Sequence, residues 1–149
     1  IANTESWNGS SWTEVNDLNT ARNEMGSCGT GNDNAILTGS STTNELWNGS
    51  SWTEIADMNT NRGAQGGGDN SNAVFFGGAP TSALTELWNG SSWTEQNDLN
   101  VGRSGLAGDG AYNAALAFSG TPTSPQSALT ASEQWTGAGA TLTRTFTVD

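Results

Sequence analysis

The 149-residue chain carries 15 acidic side chains against four arginines, a formal charge of −11, and it has no lysine and no histidine. Those absences remove Ser-His and Cys-His nucleophile pairs, His-ligated zinc, P-loop lysines and Schiff bases, and a field this acidic holds neither a phosphate backbone nor an anionic membrane surface. Only 33% of residues are hydrophobic, a composition that with high net charge points to disorder, but seven tryptophans argue for a packed chain.

In chain order, Ile1–Asn16 reads as two short strands joined at Asn8-Gly9, a hairpin signal because both residues tolerate positive φ. The octamer Trp-Asn-Gly-Ser-Ser-Trp-Thr-Glu that spans Trp7–Glu14 returns unchanged at Trp47–Glu54 and Trp88–Glu95, steps of 40 and 41 residues. A decayed copy follows at Glu133-Gln134-Trp135-Thr136-Gly137. Self-similarity at such a period marks a tandem array. After the opening pair, each repeat predicts four strands. The first is glycine-rich, as in Arg62–Gly68. The second is a compact apolar run, Ala35–Leu37, Ala73–Phe76 and Ala114–Phe118, predicted to be buried on both faces. The third ends in Glu-x-Trp, and the fourth starts at the second Trp. The last set is expected to end near Phe146–Asp149, for 14 strands in all. No stretch has a helical 3.6 period with caps, so the fold class is all-β. No apolar run approaches the roughly 20 residues of a membrane-spanning helix. Cys28 stands alone, which excludes an intrachain disulfide and suits a small buried side chain.

Several polar residues keep a fixed phase. Glu5, Glu45, Glu86 and Glu133 each precede a Trp by two positions. Asp17, Asp57 and Asp98 recur, as do Asn19, Asn59 and Asn100, and Arg22, Arg62 and Arg103. Arg144 is off phase. The in-phase arginines could converge on an anion or acidic sugar; an internal ion pair to a repeated acid such as Glu45 or Glu86 is the favoured alternative, since charges are rarely buried unpaired. Asp33, Asn34, Asp69, Asn72, Asp109 and Asn113 supply oxygen ligands of the kind calcium takes, but their spacing fits no calcium loop and ordinary turns explain them. No metal and no cofactor is expected. Asn8, Asn48 and Asn89 match the N-glycosylation triplet and coincide with the hairpin turns. The Trp rings, Trp12, Trp52 and Trp93 among them, are read as structural, with sugar stacking the alternative.

From Asn34, Asn72 and Asn113 to the next Trp the gaps are 13, 16 and 22 residues, whereas the step from Trp7, Trp47 or Trp88 to the in-phase Arg is always 15. In repeat proteins insertions map to loops on one face, often the binding face. A candidate binding face therefore comprises Ser41, Thr42, Thr81, Ser82, Thr123 and Ser124 from the variable loops. In the kelch repeats that Val74-Phe75-Phe76-Gly77-Gly78, Trp88 and Trp93 resemble, such loops share a face with the connections between repeats, so the resemblance implies that Asn19, Arg22, Asn59, Arg62, Asn100 and Arg103 complete it. No catalytic set is identified.

The residues Val74-Phe75-Phe76-Gly77-Gly78, followed by Trp88 and Trp93, resemble a kelch repeat, with Gly39-Ser40 and Ser119-Gly120 each keeping one glycine of the pair. The near-identical octamers are similar to Asn/Thr/Gly-rich kelch-like arrays of bacteriophage and environmental bacterial proteins. The resemblance implies β-propeller blades of four antiparallel strands, about three and a half here: a half blade over 1–18 and blades over about 19–58, 59–99 and 100–149. Propellers close with typically four to eight blades. Further repeats or copies of the same protein are therefore expected to complete the ring. The opening Ile1 and the start in mid-blade favour a segment of a longer polypeptide. The resemblance further implies a non-enzymatic structural or adhesion module at a virion or extracellular surface, with a glycan or host-surface receptor as ligand and neither nucleic acid nor membrane insertion. An intracellular protein-interaction propeller and a carboxylate-based glycan-active enzyme are the alternatives.

Overall fold

The computed structural model describes residues 2–23, 25–39, 43–122 and 128–137. These fold into 13 strands and no helix, arranged as four antiparallel sheets in chain order. The first sheet has only β1 (Thr4–Trp7) and β2 (Trp12–Val15). The second contains β3 (Gly26–Gly31), β4 (Asn34–Thr38), β5 (Asn44–Trp47) and β6 (Trp52–Ile55). The third contains β7 (Gly63–Gly68), β8 (Ala73–Ala79), β9 (Thr85–Trp88) and β10 (Trp93–Glu95). The fourth contains β11 (Ala107–Ala111), β12 (Ala114–Phe118) and β13 (Glu133–Trp135). Within each sheet the strands pair in sequence order. The fourth strand expected near Phe146–Asp149 lies outside the described residues.

The octamer folds the same way three times. The two Trp are cross-strand partners (Trp7 with Trp12, Trp47 with Trp52, Trp88 with Trp93), their rings tilted at centroid distances of 5.2–5.4 Å. Between them lies a four-residue loop closed by Asn8 N–H to Ser11 O at 3.2 Å and its equivalents. The two residues do not share positive φ as the Asn-Gly signal suggested. Only the glycine takes it, at +97°, +92° and +92° for Gly9, Gly49 and Gly90. The asparagine works through its side chain instead. Asn48 Oδ1 accepts the amides of Ser50 and Ser51 at 3.0 and 2.9 Å, and Asn8 and Asn89 do the same. This is the Asx-turn preference of asparagine.

The core lies between sheets. One cluster joins Ile36, Met58, Ala64, Ala73, Phe75, Trp88 and Trp93 across the second and third sheets. Another joins Val74, Phe76, Leu106, Ala115 and Ala117 across the third and fourth. Strand β8 therefore buries both faces, Ala73 and Phe75 backwards and Val74 and Phe76 forwards. Strand β12 was expected to do likewise and does not. Ala115 and Ala117 are buried, whereas Leu116 and Phe118 are 45% and 38% exposed. Its forward face has no further sheet against it among the described residues.

The first strands run side by side, β7 between β3 and β11. Their glycine content follows from how closely they approach. A Cβ on Gly26 would lie 1.5 Å from the Ala64 carbonyl oxygen, and one on Gly67 would lie 2.5 Å from that of Gly110. Real Cβ atoms do not come so near, so only glycine fits.

Candidate functional site

The connections between sheets carry the in-phase Asn and Arg residues, and the third strands carry the in-phase Glu. The fold joins them into one unit, built three times. In the third sheet Glu86 Oε1 accepts Arg62 Nη1 at 2.7 Å and the Thr60 amide at 3.3 Å. Its Oε2 accepts the Asn59 amide and side chain, both at 2.8 Å. The rest of the guanidinium donates to the carbonyls of Gly77, Thr60 and Leu84 at 2.8–3.1 Å. In the second sheet Glu45 holds Arg22, Asn19 and Thr20 in the same way. In the fourth, Glu133 accepts Arg103 Nη2 at 2.6 Å and the Asn100 amide at 2.6 Å. All three pairs are buried.

That geometry corrects part of the candidate binding face. Arg22, Arg62 and Arg103 are buried and spend their N–H groups on a carboxylate, on carbonyls and, for Arg22, on the Thr43 hydroxyl, so none offers a guanidinium to a ligand. Asn19 and Asn59 join the same units through backbone and side-chain amides, and Asn100 through its backbone amide, while all three stay exposed. Each Arg lies at the start of the sheet whose Glu it meets, so the unit ties the incoming connection to the third strand. Charge is satisfied internally, which is how a buried ion is tolerated.

The loops do gather beside these connections. Arg103 N–H donates to Ser82 O at 2.8 Å, and Thr81 Oγ1 lies 3.2 Å from Ser104 Oγ. Thr81 and Ser82 are thus brought against the connection that carries Asn100 and Arg103. Ser41, Thr42, Thr123 and Ser124 lie outside the described residues.

The Trp residues divide by position. Trp93 is 8% exposed and donates from Nε1 to Ala56 O, just after the last strand of the preceding sheet, at 2.7 Å. Trp52 reaches Thr4 Oγ1 in the first sheet at 3.0 Å. Trp12, with no sheet before it among the described residues, is 64% exposed. The third-strand rings cap the turn between first and second strands of their own sheet: Trp47, Trp88 and Trp135 donate to the carbonyls of Asn32, Asn70 and Tyr112 at 2.8–3.1 Å. The turn acids act locally, Asp69 Oδ1 accepting the Ser71 and Asn72 amides.

Two residues were not singled out from sequence. Asn32 Nδ2 donates to Trp7 O at 2.6 Å, and Asn70 Nδ2 donates to Trp47 O at 3.4 Å, each crossing to the preceding sheet. Their shared position before the second strand was the available signal. A shallow cleft of about 270 Å³ also opens along the first strands, lined by glycine backbone with Ser27, Gln65 and Asp109. Cys28 borders it. Burial pushes that thiol up to about 12, with the Ile36 backbone hydrogen bond acting the other way.

No protein-family model matches the chain, and no curated protein matches it significantly. The solved structure of YjhT superposes with a TM-score of 0.73 at 14% identity, over 91% of this chain and 49% of that one. The chain is similar to it in fold, and spans about half its length.

Proposed function

We propose that the four sheets are kelch-like propeller blades, the first of them partial, and that they form a non-enzymatic scaffold. Its outer loops serve structural attachment or the recognition of a glycan or host-surface receptor at a virion or extracellular surface. One observation carries this reading: the cations repeated at fixed phase are used up within the fold. The three repeated arginines sit on Glu45, Glu86 and Glu133, and the repeated asparagines hold backbone amides or those same acids. What remains outside includes the small, uncharged Asn-Gly-Ser-Ser turns and the Thr81-Ser82 loop, beside exposed acids such as Glu14, Glu54 and Glu95. Such a surface suits neutral hydroxyl-rich ligands. The strong acidity of the rest keeps the assembly soluble and repels polyanions.

A glycan array probed with the purified chain, run beside product analysis on the same glycans, tests the reading. Binding of neutral glycans without turnover is the expected result. Release of hydrolysed sugar would overturn the non-enzymatic assignment, and a blank array would remove glycan recognition.

A further inference from the structure

An asparagine followed by glycine is open to attack by its own chain. The glycine nitrogen, with no Cβ beside it, reaches the side-chain carbonyl carbon and closes a five-membered ring. The octamer places such a pair in each of its copies, and because their sequences are identical, a difference in reactivity between copies comes from the fold. Asn89 Oδ1 accepts the Ser91 amide at 3.0 Å, the Ser91 hydroxyl at 2.9 Å, the Ser92 amide at 3.0 Å and the Ser92 hydroxyl at 3.4 Å. These donors meet the oxygen on which negative charge grows when Cγ is attacked, which is how an oxyanion is stabilised. The same bonds fold the side chain back along its own turn, towards the Gly90 nitrogen. That N–H donates to no described residue, and Asn89, Gly90, Ser91 and Ser92 are all exposed to water.

Asn48 has the Ser50 amide, Ser50 hydroxyl and Ser51 amide at 2.9–3.0 Å, but its turn is more confined. Asn16 Nδ2 donates to Ser50 O at 2.7 Å and ties that turn to the connection leaving the preceding sheet. The residue in the phase of Asn16 before the next turn is Ala56, which has no side-chain donor. A Cβ on Gly49 would lie 3.1 Å from the Asp33 Cβ, whereas one on Gly90 would meet nothing nearer than the Ser71 carbonyl oxygen at 3.3 Å. Ring closure must swing the Asn–Gly peptide, and a turn held at Ser50 and backed by Asp33 resists that swing.

We propose that Asn89–Gly90 is a site of self-modification in the folded chain, with Asn48–Gly49 its restrained counterpart. The Gly90 nitrogen gives its proton to solvent base and its electron pair to Asn89 Cγ, and the charge moves to Oδ1, where the serine donors hold it. The Cγ–Nδ2 bond then breaks, ammonia leaves with a proton from water, and a succinimide remains. Water opens that ring at either carbonyl, giving aspartate or, with the main chain rerouted through the side chain, isoaspartate. Nothing is oxidised or reduced. The product sets a carboxylate on a turn otherwise made of glycine and serine, between the paired Trp88 and Trp93. Asn34 is an internal control. Its Oδ1 accepts the Thr30 amide at 2.8 Å and the Thr30 hydroxyl at 3.0 Å, but the nitrogen that follows it belongs to Ala35, within β4 and paired with β5.

The test incubates the full chain at pH 8, folded and in urea, and follows its peptides by mass spectrometry. In urea Asn48 and Asn89 should convert at one rate. In the folded chain Asn89 should convert no more slowly than in urea and about threefold or more faster than Asn48, with Asn34 intact. Ser91→Ala should slow Asn89 about threefold in the folded chain but not in urea. Asn16→Ala should bring Asn48 towards the Asn89 rate. Hydroxylamine should cleave the chain between Asn89 and Gly90, the signature of the ring. Survival of Asn89 in the folded chain while the unfolded chain converts would overturn the proposal, as would equal folded rates at Asn48 and Asn89. A Ser91→Ala chain that converts as before would overturn the role of the donors. Conversion without hydroxylamine cleavage would overturn attack by Gly90.

Discussion

Arg62 and Glu86, 24 positions apart, meet at 2.7 Å with both side chains 1% exposed. The pair bolts the connection entering the third sheet to that sheet's third strand. Removing one partner leaves an uncompensated buried charge, which costs about 3–5 kcal/mol. Arg62→Ala is therefore expected to lower the urea midpoint strongly. Arg62→Lys should recover little, because an ammonium cannot reach the carboxylate and the Gly77 and Leu84 carbonyls together. Replacing both partners by apolar residues should cost less than either single change. A stable Arg62→Ala protein that had lost ligand binding would return the arginine to the binding face.

Gly67 tests the approach of the first strands. Alanine there puts a methyl against the Gly110 carbonyl, a contact of 2.5 Å before relaxation. Overpacking of this kind costs about 1–3 kcal/mol. Gly31→Ala is the control, since that glycine is exposed and the nearest atom to its Cβ is the Asp33 side chain at 3.1 Å. Thermal unfolding should separate the two by several degrees. Equal midpoints would mean that the strands move apart readily.

The same octamer gives opposite results at two places. Trp93 is 8% exposed, lies edge-on to Phe75 at 5.6 Å and donates to Ala56, just after the last strand of the neighbouring sheet. Trp93→Ala is expected to cost about 3–5 kcal/mol. Trp12 has the same neighbours in sequence and is 64% exposed, so Trp12→Ala should change stability by no more than about 0.5 kcal/mol. Denaturation of the two variants side by side decides the matter, and equal losses would show that Trp12 is covered in solution.

These contrasts show what the sequence carries and what it does not. The hairpins, the Arg-to-Glu pairing and the apolar second strands are legible because each depends on residues close in the chain or repeated at fixed phase. The limits of β12 were read residue for residue. Its one-sided burial was not, nor was the difference between Trp12 and Trp93, because identical local sequence cannot report whether another sheet lies alongside. The same reasoning explains Glu5, in phase with the buried Glu45, Glu86 and Glu133 yet itself exposed. The arginines were placed both on a binding face and in ion pairs; burial decides for the pairs, and burial is set by the whole stack.

Cys28 supplies the last prediction. It sits half-buried on β3, packed against the cluster of Ile36, Ala64 and Phe75. Burial raises its thiol from 9.0 to about 12, the Asp69 charge adds to the rise, and the hydrogen bond with the Ile36 backbone opposes it. The thiolate is the reactive form, so alkylation of the folded chain at pH 8 should be far slower than that of the unfolded chain. The rate should keep climbing past pH 10 rather than level off near 9. The sign for stability follows from proton linkage. Below pH 9 both states hold the proton, and the contribution is complete. Between 9 and 12 the folded chain keeps a proton that the unfolded chain has released, so rising pH favours unfolding, by at most ~1.4 kcal/mol per pH unit. Cys28→Ala should remove that slope while leaving the remaining alkaline dependence in place. An alkylation plateau near pH 9 in the native protein would show that the thiol meets water freely and that this part of β3 is open.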